Sequence, residues 1–419
     1  MEINIPLTLD IPDIALVTVP RTEAGEIIFA VRSTLDSAVC PVCGLKSLKV
    51  HGLGDAIRLK HLSIMGVPTI IEIQPKRFRC ENCSQKPTFT QELPWYFPQK
   101  KCTKAYERAV IKYVSIGTVK GVAEAENVSE AFIQSIVDRC IPGYVDWSST
   151  PKFQLLGIDE VKLSSIPGEY CAVIYGRTAC GENCLLSVLP DRRKETVAAF
   201  LESIPESHKQ SLKAVCIDFF ESYRSAARDA LPTVEIVADR FHLAKLYRDA
   251  IDPLRKSAAA KLEFETEEEG RQIRSELRSL CRKRRDDLTD IEETRLSEYV
   301  EASPDLGKAL NLSERLSRIF DETICRKSAA KKIRAWIIEV RESKATCFDS
   351  FLKTLDKWWT EILNYFPHGY SSGWVEGLNT LLKATHRVCY GLLNPSAIFR
   401  RMYMQLRRNL ILKFTAIYI

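Results

Sequence analysis

The chain has 419 residues, of which 45% are hydrophobic and 27% charged, as in folded proteins of two or three domains. Its formal net charge is +6, and no apolar run approaches the roughly 18 residues of a membrane span. Residues 1–12 lack the basic and apolar regions of a signal peptide. We therefore expect a cytoplasmic protein without a membrane segment, whose 14 cysteines are mainly reduced thiols.

Positive charge is concentrated in two segments of the chain. Residues 75–108 contain eight Lys or Arg and three acids, and residues 376–419 contain seven basic residues and one acid. Such clusters suit a polyanion, because every phosphate that they neutralise releases counterions. A solvated surface would produce either cluster equally well.

Two Cys-x-x-Cys pairs, Cys40 with Cys43 and Cys80 with Cys83, dominate the N-terminal segment 1–98. This spacing is typical of a tetrahedral Cys₄ site, so we expect a structural Zn²⁺ ion there. Chance pairing of the cysteines and a redox dithiol are the alternatives, although no βαβ pattern surrounds either pair to favour the dithiol.

Residues 99–150 predict a helix-turn-helix. A short helix up to Asn127 is followed by the capping residue Ser129 and a second amphipathic helix. In a DNA-binding version of this motif, the second helix would present Gln134 and Arg139 to the major groove. An ordinary helical hairpin has the same outline.

From residue 153 onward, short apolar runs predict strands separated by helices. The predicted strands cover residues 154–158, 170–176, 183–189, 214–217 and 234–238, and the predicted helices cover 194–204, 221–230 and a long stretch from 241. Three strands followed by two crossovers predict a mixed sheet covered by helices, which is the strand order of an RNase-H-like fold. We assign residues 151–242 to the first part of this core.

Asp159 and Asp218 end the first and fourth of these strands. The two strands lie side by side in an RNase-H-like sheet, so the carboxylates should face one another. Neighbouring carboxylates repel unless a cation lies between them, and Mg²⁺ or Mn²⁺ binds oxygen ligands of this kind.

Residues 243–366 are almost wholly helical in pattern and charged, and we interpret them as an all-α insertion in the core. The closing segment 367–419 contains Glu376, which would supply a third carboxylate. Helical spacing places Glu376, Asn379, Lys383 and Arg387 on one face. We expect Asn379 and Lys383 to support the acidic site, and Lys383 and Arg387 to contact DNA phosphates.

These motifs resemble the ISL-three (ISL3) family of bacterial insertion-sequence transposases, a DDE group. The most specific parts are Cys40-Pro41-Val42-Cys43, Arg77-Phe78-Arg79-Cys80, Asp239-Arg240-Phe241-His242, Val375-Glu376-Gly377-Leu378-Asn379 and Tyr390-Gly391. The resemblance implies that Asp159, Asp218 and Glu376 form the catalytic, metal-binding triad. Two features depart from the family pattern, namely Phe219-Phe220-Glu221 after the second aspartate and Trp374 before the third acid.

The resemblance also implies a function on DNA. The protein would bind terminal inverted repeats and target DNA as a homodimer or larger oligomer at the bacterial nucleoid, and would catalyse strand cleavage and strand transfer. Asp239 and His242 would either support this site or merely cap and pack a helix. Two further readings stay open: a catalytically inactive or domesticated DNA-binding regulator of the same fold, and a metal-dependent nuclease without strand transfer.

Overall fold

The computed structural model describes residues 9, 11–162, 170–261, 266–388, 394–408 and 411. The sequence motif Tyr390-Gly391 lies outside these residues. The chain divides into two compact units, Met1–Gly143 with Arg400–Ile419 as the first and Tyr144–Phe399 as the second.

The first unit begins with a series of strands. They are β1 (Ile14–Leu16), β2 (Arg21–Glu23), β3 (Glu26–Ser33), β4 (Ala38–Val39), β5 (Lys46–Ser47), β6 (Val50–Leu53), β7 (Ile57–Ile64), β8 (Val67–Ile73), β9 (Lys76–Arg79) and β10 (Thr88–Thr90). One sheet has the order β1-β3-β8-β7, with β2 also paired to β3. Smaller sheets, β10-β9-β6 and β4-β5, carry the cysteine pairs. Alternate residues of the larger sheet, such as Phe29, Val31, Ile71 and Ile73, form its core.

Three helices follow in the first unit: α1 (Lys104–Ile116), α2 (Val119–Ala125) and α3 (Glu130–Cys140). Asn127 forms the turn between α2 and α3 with φ of 48°, and the Ser129 side chain accepts a hydrogen bond from the Phe132 backbone N–H. The predicted helix, turn, cap and second helix are therefore present. Met404 packs into the apolar core of these helices.

The second unit contains the predicted mixed sheet, built from β11 (Leu155–Val161), β12 (Cys171–Arg177), β13 (Asn183–Val188), β14 (Ala214–Ile217) and β15 (Glu235–Ala238). Its order is β13-β12-β11-β14-β15. Strands β11 to β13 pair antiparallel, whereas β14 is parallel to both β11 and β15. The helices between these strands are α4 (Lys194–Glu202), α5 (Glu206–Lys209) and α6 (Glu221–Ala230). This arrangement confirms the RNase-H-like core.

The segment after β15 is helical throughout its described part, as expected for an all-α insertion. Its helices are α7 (Arg240–Asp249), α8 (Asp252–Ala260), α9 (Glu267–Leu280), α10 (Asp290–Ala302), α11 (Pro304–Glu322), α12 (Arg326–Glu342), α13 (Asp349–Lys357) and α14 (Trp359–Leu363). The single long helix predicted from residue 241 is wrong. Pro253 lies in the first turn of a new helix, α8, because proline lacks the backbone donor and would clash with a preceding helical turn.

Two helices close the described chain, α15 (Gly373–Val388) and α16 (Pro395–Leu406). Buried residues of the insertion, including Leu312, Ile333 and Trp336, join those of the sheet in one apolar core. In the described parts of the chain, no helix is both long enough and apolar enough to cross a membrane.

Candidate active site

Two aspartates lie together where β11 and β14 run parallel. The register pairs Ile158 with Ile217, so Asp159 and Asp218 each follow a paired residue. One carboxylate oxygen from each and a ring nitrogen of His242 all lie within 4.8 Å of one another. The predicted adjacency of the two strands is confirmed, and it brings these three side chains to one place.

The electrostatics of this cluster favour a positive group. Burial raises the pKa of Asp159 to about 6 and also raises the pKa of Asp218. Burial lowers the pKa of His242, but its hydrogen bond with Asp239 and the charge of Asp218 outweigh that effect and raise the pKa to about 9. A protonated His242 therefore offsets part of the negative charge.

Asp239 caps α7 and also contacts His242. Its Oδ1 accepts a hydrogen bond of 3.1 Å from the Phe241 backbone N–H and caps α7, and its Oδ2 lies 2.7 Å from His242 Nδ1. Burial opposes ionisation of Asp239, but the hydrogen bond from His242 lowers its pKa. Because Nδ1 is bound to Asp239, Nε2 is the ring atom left for a ligand.

A chain of buried hydrogen bonds joins α15 to the sheet. The Tyr175 hydroxyl donates to Asn379 Oδ1 over 3.2 Å, and Asn379 Nδ2 donates to Asp159 Oδ2 over 2.8 Å. The other oxygen of Asp159 accepts a hydrogen bond of 2.7 Å from the Glu160 backbone N–H. Asp159 is therefore fixed from two sides.

Gly157 allows the start of α15 to approach β11 closely. A Cβ atom at this position would lie 2.4 Å from Val375 Cγ2 and 3.1 Å from a ring carbon of Trp374. The glycine is required here by the contact with the helix and not by its backbone conformation.

Glu376, the predicted third carboxylate, is exposed in the first turn of α15, one turn before Asn379. In the parts of the chain that are described, the cluster whose ligand atoms meet consists of Asp159, Asp218 and His242, without Glu376. The structure thus places Glu376 on the helix that contacts Asp159 but outside the close cluster.

The helix face predicted for the polar residues of α15 is only partly exposed. Lys383 and Arg387 are exposed like Glu376, whereas Asn379 is only 4% exposed. Its amide turns inward because both of its polar atoms have partners within the core.

The sequence analysis did not identify two buried tyrosines near the aspartates. Tyr175 lies opposite Gly157 in the strand register. Tyr223, in the first turn after Asp218, is 0% exposed, and its hydroxyl has no hydrogen-bond partner among the described residues. Burial and then the charges of Glu160 and Asp159 raise its pKa. The predicted helix over residues 221–230 was the available sequence signal for Tyr223. Tyr175 could be placed near the aspartates only through the register of β11 and β12.

These groups fit a hard divalent cation. Asp159 and Asp218 provide carboxylate oxygens close together, and their burial disfavours two negative charges without a cation. The buried Tyr223 hydroxyl has no hydrogen-bond partner among the described residues. The two aspartates could therefore hold the ion, with His242 beside it.

The four predicted zinc ligands meet in the first unit. The sulfur atoms of Cys40 and Cys83 are 4.0 Å apart, and those of Cys43 and Cys80 are 3.6 Å apart. Tetrahedral Zn–S bonds of about 2.3 Å would separate sulfurs by about 3.8 Å. Backbone N–H groups of Cys43 and Val42 lower the pKa of the Cys40 thiol to about 7, although burial opposes them. The geometry supports a structural zinc ion.

The two side chains predicted to read DNA differ in their surroundings. Gln134 donates a hydrogen bond of 2.8 Å to Asp138 on the half-exposed side of α3. Arg139 instead forms an ion pair with Glu107, whose side chain is only 4% exposed. Arg139 therefore has a partner inside the helical bundle, and its contact with DNA stays a prediction.

The fold and the clusters define an RNase-H-like protein with a zinc-ribbon module. A family model described as a transposase matches residues 156–402, and one described as the zinc finger of the IS204/IS1001/IS1096/IS1165 transposases matches residues 36–83. The first match covers more than half of the chain. The chain belongs to the ISL3 family of transposases.

Relatives align along most of the chain. The transposase for insertion sequence element IS1001 of Bordetella parapertussis is 26% identical over 391 residues, which are 91% of this chain and 92% of the relative. The transposase for IS1557 of Mycobacterium tuberculosis is 21% identical over 387 residues, 86% of this chain and 83% of the relative. Among solved structures, the Drosophila P element transposase strand transfer complex aligns with a TM-score of 0.37 and 11% identity, covering 73% of this chain and 92% of that one.

Proposed function

We propose that this transposase binds the terminal inverted repeats of its insertion sequence and catalyses metal-dependent DNA cleavage and strand transfer with Asp159, Asp218 and Glu376. The observation that carries the proposal is the meeting of Asp159 and Asp218 at the centre of the sheet. Burial raises the pKa of both groups, an arrangement typical of functional carboxylates.

Two Mg²⁺ ions, when bound, would supply a Lewis acid at the scissile phosphate and would favour ionisation of the attacking oxygen. Asp159 and Asp218 would hold them from the strands. Glu376 would join from α15, whose position is set by the Asn379–Asp159 hydrogen bond. Zn²⁺, held by Cys40, Cys43, Cys80 and Cys83, would keep the N-terminal module folded.

The reaction requires no covalent link to the protein. In cleavage, a water oxygen forms a bond to phosphorus and the 3′ oxygen leaves as a hydroxyl. In strand transfer, the oxygen of that 3′-hydroxyl forms a bond to a phosphorus of target DNA, and the 3′ oxygen of the cut target strand leaves as a hydroxyl. His242, whose Nδ1 is bound to Asp239, would offer a proton or a hydrogen bond from Nε2 to a phosphate oxygen.

DNA recognition would be divided among several parts of the chain. The zinc-ribbon module and the half-exposed Gln134 of α3 would read the terminal repeats, with Arg139 beside it, and Lys383 and Arg387 would hold the flanking backbone. Cutting and joining two ends together implies at least a dimer on DNA in the bacterial nucleoid.

A cleavage assay on plasmid that carries the neighbouring inverted repeats tests the proposal. With Mg²⁺ but not with EDTA, wild-type protein should cut at the repeat ends, and Glu376→Gln should lose this cleavage. Glu301→Gln, which changes an exposed acid on α10, is the matched control and should cut normally.

An assay with precut DNA ends that carry a free 3′-hydroxyl distinguishes a transposase from the alternative functions. Joining of these ends to target DNA supports a transposase. Cleavage of plasmid without joining would indicate a nuclease, and tight binding to the ends without either reaction would indicate a regulator or an inactive copy.

A further inference from the structure

Helix α12, within the helical insertion, has one buried and one exposed face. Ala329, Ile333, Trp336 and Val340 are each at most 2% exposed and pack in the core of the second unit. The Trp336 indole N–H donates a hydrogen bond of 2.8 Å to the Leu312 carbonyl on α11. These contacts fix the orientation of α12 and therefore the direction of its exposed face.

The opposite face carries a row of cations, which we call the α12 stripe. It consists of Lys327, Lys331, Arg334 and Arg341, all exposed, with the 55%-exposed Ile338 between the two arginines. At about 100° per residue these positions deviate by at most about 40° from one line along the helix. From first to last the stripe extends about 21 Å.

The α12 stripe differs from other charged surfaces of the insertion. Several other exposed cations of the insertion face acids, as in the pairs Lys256–Asp252, Arg271–Glu268, Lys308–Asp305 and Arg318–Glu314. Within the described residues, by contrast, no ion pair joins any cation of the stripe to an acid. The acids of α12 are Glu339 and Glu342, and Glu339 is paired with Arg315 on α11.

A cleft of about 660 Å³ adjoins the C-terminal half of the stripe. Arg334, Arg341 and Lys353 line it together with Asp349, Asp356 and Trp359. The Arg334 guanidinium lies 5.5 Å from the centre of the half-buried Trp359 ring, which holds it in place. Arg334 and Arg341 therefore belong to both the cleft and the stripe, and three cations against two acids leave the cleft with a small positive excess.

We propose that the α12 stripe binds the phosphate backbone of duplex DNA without reading its sequence. Four cations on a rigid helix, none of them in an ion pair, suit the regularly spaced phosphates of DNA. The stripe length of about 21 Å corresponds to roughly six nucleotides of one strand, at about 3.4 Å each. Contacts with phosphates fix the position of a protein on DNA without carrying sequence information, and Lys and Arg make many of them. The stripe would therefore hold duplex DNA of any sequence, such as flanking or target DNA. This proposal rests on the proposed function for its partner.

The test measures binding of the full-length protein to a random-sequence 20-base-pair duplex by fluorescence anisotropy at several NaCl concentrations. The variant Lys327→Gln/Lys331→Gln/Arg334→Gln/Arg341→Gln should bind at least about tenfold more weakly at 0.1 M NaCl. Its slope of log K against log[NaCl] should fall by about 3 to 4, because each lost phosphate contact removes about 0.9.

Two controls separate the stripe from general charge and from misfolding. Lys256→Gln/Arg271→Gln/Lys308→Gln/Arg318→Gln removes two lysines and two arginines that are exposed but paired, and its slope should change by less than about 1. Exchanging Lys for Arg and Arg for Lys at the four stripe positions should preserve the wild-type slope. Thermal unfolding of all variants shows whether the fold is intact.

An unchanged slope in the stripe variant, or an equal loss in the paired-cation control, would overturn the proposal. So would loss of binding to anionic phospholipid vesicles with DNA binding unchanged. Because random duplex binding needs no cleavage, failure here leaves the repeat-cleavage assay to decide the proposed function separately.

Discussion

Asn379 donates a hydrogen bond to Asp159 over 2.8 Å, although 220 positions separate the two residues in the chain. The bond joins α15, which carries Glu376, to the strand that carries the first aspartate. The buried Tyr175 hydroxyl holds the other side of the same amide. The orientation of one carboxylate and the placement of the helix that carries another are thus linked.

Asn379→Ala should reduce cleavage of repeat ends by about 10- to 100-fold and raise the Mg²⁺ concentration needed for half-maximal rate, because Asp159 loses its orienting donor. Tyr175→Phe should act in the same direction but less, since it removes only the support of the amide. Mg²⁺ titrations of the cleavage rate measure both effects. Thr380→Ala, the next residue on α15, should stay within about twofold, and an equally impaired Thr380→Ala would show that α15 is merely sensitive to change.

Gly157→Ala should destabilise the second unit by about 1–3 kcal/mol, because the new methyl group would overlap Val375 Cγ2. Denaturant unfolding measures the loss. The double variant Gly157→Ala/Val375→Ala should recover part of it, since the smaller helix residue makes room. Strictly additive losses in the two variants would refute the close contact.

Arg139→Ala should lower the free energy of unfolding of the first unit by roughly 1–3 kcal/mol, because Glu107 would remain buried without its partner. Gln134→Ala, in contrast, should weaken binding to the terminal repeats with little change in thermal stability. Melting curves and anisotropy with repeat duplexes separate these roles. If Arg139→Ala unfolds normally but loses repeat binding, Arg139 acts mainly at DNA.

Cys80→Ser should reduce the zinc content from about one ion per chain and abolish binding to repeat ends, because the four sulfurs hold the module together. Atomic absorption gives the zinc content, and anisotropy gives the binding. Cys325→Ser, at an exposed cysteine outside the cluster, is the control and should retain both. Normal repeat binding by zinc-free Cys80→Ser would exclude a role for the metal in recognition.

The sequence predicted the parts of the fold that depend on local patterns of residue type and spacing. Apolar runs and their spacing located the strands of the mixed sheet, and strand order then placed Asp159 beside Asp218. The Cys-x-x-Cys spacing located the zinc ligands in the same way. Both predictions depend on residue type and on distance along the chain.

The parts that the sequence did not determine depend on contacts between distant segments. The burial of Asn379 results from its partner on β11, and helical periodicity could place it only on the same face as Lys383. Tyr175 reaches the site through the β11–β12 register. Asp239 contacts His242 in addition to capping α7, and the sequence alone did not predict this contact.

The most direct test of the account is cleavage of repeat ends by Asp218→Asn, which keeps the shape of the side chain and removes its charge. The variant should bind the ends with wild-type affinity in EDTA, show no Mg²⁺-dependent cleavage, and fail to join precut ends. Cleavage or joining by Asp218→Asn at the wild-type rate would contradict the assignment of the two neighbouring aspartates as the catalytic centre.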